Sequence, residues 1–182
     1  MTWFSYYMLL QSAPGNAQSD ERLKTTANLG SLPTMTAYYE DLKVFFQRAA
    51  ATGVDPIVLH VEPDTWGYAQ RTATGDDART VPAQVAATGL PELAGLPNDV
   101  AGFVEAIVRL RNRYAPAVQL AYPVSVWGTG VDISMSDPSD RPWGFRVSRA
   151  DRTWRDRTSR GASQRAAACR DAACGQRRGL RA

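Results

Sequence analysis

The chain has 182 residues with 21 Lys and Arg against 18 Asp and Glu, a net charge of +3 that hides two opposed parts. Residues 1–140 hold 9 basic and 15 acidic side chains, a net of −6, whereas residues 141–182 hold 12 basic and 3 acidic, a net of +9. At 44% hydrophobic and 21% charged residues the chain suits one modest core, but it is short of the roughly 250 residues of a full α/β barrel. No stretch approaches the roughly 18 apolar residues that a bilayer span needs, so no membrane partner is expected.

Taken in order, Thr2 to Leu10 is apolar and uncharged. It lacks the basic start of a secretory signal, and Trp3, Tyr6 and Tyr7 suit a strand over about residues 3–10. A polar loop is expected from Gln11 to Pro33. Tyr39, Leu42, Phe45, Phe46 and Ala49 recur at three- and four-residue spacing, which predicts a helix from Thr36 to about Thr52, stopped at Gly53. The run from Asp55 to Asp64 has a continuous apolar middle, the pattern of a strand buried on both faces in a parallel sheet.

A second loop is expected from Thr65 to about Pro97, with a short strand at Val81 to Ala86. Val100, Phe103, Val104, Ile107, Val108 and Leu110 then form the apolar stripe of a helix running from Asn98 or Asp99 to about Tyr114. A third strand is expected from Val118 to Trp127, closed by Gly128-Thr129-Gly130. Strand, helix, strand, helix, strand is the order shared by doubly wound sheets and TIM barrels, so the fold class is α/β.

In such sheets ligands gather at the carboxyl ends of the strands. Strand alternation sets Ile57, Leu59 and Val61 on one side and Val58, His60, Glu62 and Asp64 on the other. Three ionisable groups are thereby expected to converge at the strand end, and burying carboxylates without a role is costly. His60 is the single histidine, which excludes Ser-His-Asp triads and multi-histidine metal centres. Cys169 and Cys174 have no further ligand nearby, and no phosphate-binding glycine loop or nucleophile elbow occurs, so neither metal nor cofactor is expected.

Carboxylate chemistry remains. Trp66, Tyr68, Trp127, Tyr6 and Tyr7 lie near the same strand ends, and flat aromatic faces beside carboxylates suit sugar rings. Asp132 follows the third strand as a further acid. Carboxylates from different strands could reach the separation of about 5–5.5 Å or 6.5–9.5 Å that glycoside hydrolysis requires.

The segment His60-Val61-Glu62-Pro63-Asp64-Thr65-Trp66-Gly67-Tyr68, with Trp3-Phe4-Ser5-Tyr6-Tyr7 before it and Ser125-Val126-Trp127-Gly128-Thr129-Gly130 after it, resembles bacterial TIM-barrel proteins of the glycoside hydrolase type. Its Glu-Pro-Asp step is also similar to the strand-end acid of the family 6 cellulases. The resemblance covers about residues 2–140. It implies a partial (β/α)8 barrel, about half of one, from a secreted parent acting on a polysaccharide or oligosaccharide. Glu62, Asp64 and Asp132 would be its catalytic acids, with His60, Trp66, Tyr68, Tyr7 and Trp127 binding substrate. The chain by itself is expected to be inactive, because an open half-barrel leaves strand edges unpaired and the site incomplete. The alternative is a non-catalytic carbohydrate-binding or cell-surface protein on the same fold.

Residues 141–182 contain twelve Arg, no Lys, and much Ala, Gly and Ser. Arg suits phosphate contacts, yet a basic arm normally mixes Lys with Arg. The bias matches an out-of-frame reading of GC-rich DNA, so no nucleic-acid partner is expected. With Val147 and Leu180 as its only aliphatics beyond Ala, this tail is expected to be disordered.

Overall fold

A computed structural model describes residues 1–123 and Gly128. In chain order it contains β1 (Thr2–Tyr6), α1 (Glu21–Leu29), α2 (Leu32–Ala51), β2 (Ile57–Val61), α3 (Thr65–Thr72), α4 (Val100–Tyr114) and β3 (Gln119–Ala121), with short 3-10 turns between them. The strands form an open, wholly parallel sheet in the order β1-β2-β3, with Ser5 opposite His60 and His60 opposite Ala121. The α/β class holds, in the form of four helices and this three-stranded sheet. Among the described residues no helix is long and apolar enough to cross a membrane.

Each long helix begins where its sequence supplies an acceptor for orphan N–H groups. Ser31 Oγ accepts from Thr34 N ahead of α2, and the Asp99 side chain accepts from Gly102 N at 2.8 Å ahead of α4. The expected start of α2 moves back to Leu32 because Pro33, in its first turn, has no N–H that the helix needs. The stripes of α2 (Met35, Tyr38, Tyr39, Leu42, Phe46) and α4 (Phe103, Ala106, Ile107, Leu110) close on Ile57, Leu59 and Val61 to form the core. On the other face, Trp3 is 55% exposed, and Ser5 and Gln119 face solvent.

Several expected boundaries fail for identifiable reasons. β1 ends at Tyr6 rather than Leu10, because Leu9 and Leu10 turn inward in a 3-10 turn. The loop expected from Gln11 to Pro33 contains α1, whose buried face is Thr25, Asn28 and Leu29. Two of those three are polar, so apolar periodicity could not reveal it. The loop expected after Asp64 contains α3, only eight residues long with Gly67 inside it. Val81, Ala83 and Val85 are alternately buried as a strand would be, yet the segment makes only one isolated bridge, Pro82 with Asp99. The third strand occupies Gln119–Ala121; the expected strand residues 124–127 and the tail from residue 141 lie outside the described residues.

Two polar networks hold the ends of this architecture. Asn28 is fully buried; it accepts from Gly15 N at 2.7 Å and donates to Ser12 O at 3.0 Å and to Leu9 O. A Cβ at Gly15 would collide with Asn28 and the Lys24 carbonyl. Elsewhere, the nearly buried Glu92 accepts from Lys43 Nζ at 2.7 Å and from the Tyr114 hydroxyl. The Lys43 hydrogen bond, then that of Tyr114, hold the Glu92 carboxyl down at about 2.

Asn28→Ala leaves the buried Gly15 N–H unpaired and removes the bonds to the Leu9 and Ser12 carbonyls, and should cost about 2–4 kcal/mol in urea unfolding. Because the Glu92 carboxyl lies below its unfolded value, its contribution is present above about pH 4.5 and is lost as pH falls toward about 2. Lys43→Met should therefore lower stability at pH 7 and flatten the acid limb of a stability-versus-pH curve.

Candidate functional site

The carboxyl ends of β1 and β2 carry most of the expected site residues, but they separate His60, Glu62 and Asp64. His60 remains on the open sheet face, where Nδ1 lies 3.4 Å from Ser5 Oγ and the ring sits 5.8 Å from that of Trp3. Alternation stops at the next outward position, because β2 ends at Val61 and Glu62 adopts φ +46°. That left-handed conformation is costly for a residue with a side chain and persists only where its surroundings fix it.

Those surroundings enclose Glu62 completely. Its N–H donates to Tyr6 O at 2.7 Å. Its Oε1 accepts from Met8 N at 2.9 Å and Leu9 N at 3.2 Å, while Oε2 accepts from Thr65 Oγ1 at 3.3 Å. The Tyr38 hydroxyl lies beside the carboxylate, buried and without a well-formed hydrogen bond. Burial pushes the Glu62 carboxyl up to about 7; hydrogen bonds from Met8, Leu9 and Thr65 oppose that rise. The expected outward placement beside His60 and Asp64 is corrected for Glu62: its oxygens accept from the protein's own chain.

Asp64 is the more accessible acid. It precedes α3 at the N-cap position without capping it, and its Oδ2 accepts the Tyr7 hydroxyl at 2.7 Å. Next to this pair, Tyr68 on α3 donates its hydroxyl to Glu21 at the start of α1. The two pairs sense one another: Glu21 acts on the Tyr7 phenol and Asp64 on that of Tyr68. Burial, then the carboxylate hydrogen bond, holds both phenols well above their ordinary range. Glu21 is a site neighbour that the sequence did not expose, since α1 itself was invisible to apolar periodicity.

Trp66 is not a free platform. One face stacks on Phe103 at 5.4 Å and 22°, Tyr122 meets it edge-on at 5.1 Å, and its Nε1 donates to Val61 O at 2.8 Å. Trp127 and Asp132 lie outside the described residues. At the opposite, amino end of the sheet a cavity of about 220 Å³ is lined by Gly53, Val54, Ile57, Ala115, Pro116 and Val118 among others, and by none of the candidate residues. Among the described residues no group of three His, Cys, Asp or Glu is placed to hold a metal ion.

Comparison with protein-family models, with curated proteins and with solved structures finds no match for this chain. The chemistry therefore rests on the geometry: one accessible acid paired with a phenol, a second phenol and carboxylate beside it, and an enclosed carboxylate that shapes the turn beneath them.

Trp66→Ala removes a ring stacked in the core and should cost about 2–4 kcal/mol of stability. Equilibrium denaturation checks this; a loss below about 0.5 kcal/mol would restore Trp66 as a surface platform.

Proposed function

We propose that residues 1–123 are strand–helix units of a carbohydrate-active (β/α) barrel of the glycoside hydrolase kind, with Asp64 and Tyr7 as its sugar-contacting pair. The observation that carries this reading is the Tyr7–Asp64 pair at the carboxyl end of a parallel sheet, where such folds bind their ligands. Sequentially adjacent strands, with α2 and α4 packed on one face, fit a barrel segment and fit equally one half of a doubly wound sheet.

A carboxylate and a phenol together accept and donate to vicinal hydroxyls, the pattern a pyranose presents. In a hydrolase of this kind Asp64, rather than Glu62, is the acid able to approach a glycosidic oxygen, and Glu62 supports it from below. The enclosure of Glu62 also favours the second reading, a carbohydrate-binding protein without turnover, because it removes one of the two carboxylates that hydrolysis needs.

Titration calorimetry with soluble β-glucan and other oligosaccharides tests the reading. Asp64→Asn should weaken binding about tenfold to a hundredfold, the worth of one charge-assisted hydrogen bond, and Tyr7→Phe by less. Reducing-sugar release by the purified chain should stay at background. Binding unchanged in Asp64→Asn, or no oligosaccharide bound at all, would overturn the assignment.

A further inference from the structure

Glu62 brackets Tyr7 along the chain. Its N–H holds Tyr6 O at 2.7 Å, its carboxylate holds Met8 N at 2.9 Å and Leu9 N at 3.2 Å, and Tyr7 between them delivers its hydroxyl to Asp64. One residue thereby sets the main chain on both sides of the tyrosine whose side chain covers the accessible acid.

Among the described residues, the groups packed about that carboxylate supply no counter-charge. β1 presents Tyr6, whose hydroxyl is given to Asp41 of α2 at 2.6 Å; α2 also presents Tyr38, and α3 presents Thr65. Tyr7 and Asp64 lie just beyond. None of these is a cation, and among the described residues the ion pairs formed are Lys43 with Glu92 and Arg109 with Glu105. A carboxylate sealed without a counter-ion favours its neutral form. The Met8–Leu9 main chain forms one side of the seal, so lifting it hydrates the group and removes the cost of charge.

We propose that Glu62 is a proton-operated clamp, which holds Tyr7 on Asp64 while its carboxyl is neutral and releases the pair when it ionises. The direction follows from linkage: the closed state binds the proton more tightly than the hydrated, open state, so raising the pH favours opening. The window runs from the ordinary value of about 4.5 to about 7, where burial holds the closed carboxyl. The consequence, freer access to Asp64 toward neutral pH, rests on the carbohydrate-site reading above; the clamp does not.

Amide hydrogen exchange of the full chain, followed by NMR from pH 5 to 8, tests the clamp independently of any ligand. With each rate divided by its intrinsic value, the opening constant at Met8 and Leu9 should rise about fortyfold between pH 5 and 7 and level off toward pH 8. The Leu59 amide in β2 should not follow the same curve. Glu62→Gln, which keeps an acceptor oxygen but cannot ionise, should abolish the rise, and Tyr7→Phe, which leaves Glu62 in place, should keep it. A flat wild-type profile, an equal rise at Leu59, or an undiminished slope in Glu62→Gln would each overturn the clamp. Oligosaccharide binding that fails while the exchange profile behaves as expected would sink the carbohydrate reading alone.

Discussion

The fold depends on the burial of β2. As the middle strand it pairs with β1 on one side and β3 on the other, and its Ile57, Leu59 and Val61 meet the stripes of α2 and α4. At about 25 cal/mol per Å² of apolar surface removed from water, a strand that hides nearly every side chain anchors both crossovers. Its two aromatic neighbours, Tyr38 and Phe103, meet at 5.5 Å in an edge-to-face arrangement that ties α2 to α4 above the sheet.

The same strand creates the chemical tension of the molecule where it stops. Leaving the sheet, the chain takes a left-handed step at Glu62 and carries a carboxylate beneath β1's exit. Three dipolar donors serve that carboxylate, but among the described residues no ion pair does. Glu92 makes the contrast: also nearly buried, it has Lys43 beside it and stays ionised well into acid. The two glutamates thus sit on opposite sides of their ordinary value because burial dominates at the sealed Glu62, whereas the less enclosed Glu92 has the hydrogen bonds of Lys43 and Tyr114.

Much of the architecture was legible because it is written in apolar spacing. The α2 and α4 stripes and the apolar run of β2 all appear as the spacing demands, within a few residues. α1 and α3 were not legible: on α1 Asn28 is buried through hydrogen bonding and Thr25 through close packing rather than apolar character, and α3 is two turns long with a glycine inside. Of the candidate site the placement was legible, since Asp64, Tyr7 and Tyr68 do lie near the carboxyl ends of the strands. Its composition was not, because Glu21 arrives on the helix that spacing missed and Trp66 is taken up by Phe103.

The sequence by itself determined the α/β class, the order of the three strands and two long helices, and the end of the sheet at which polar groups would collect. Local periodicity and residue chemistry suffice for those. Only the tertiary structure decided which acid is accessible. Strand alternation places Glu62 and Asp64 on one face, but a single left-handed residue breaks the alternation, turns Glu62 under Met8 and Leu9, and leaves Asp64 to Tyr7. That step is fixed by contacts with residues more than fifty positions away in the chain, which no local pattern records.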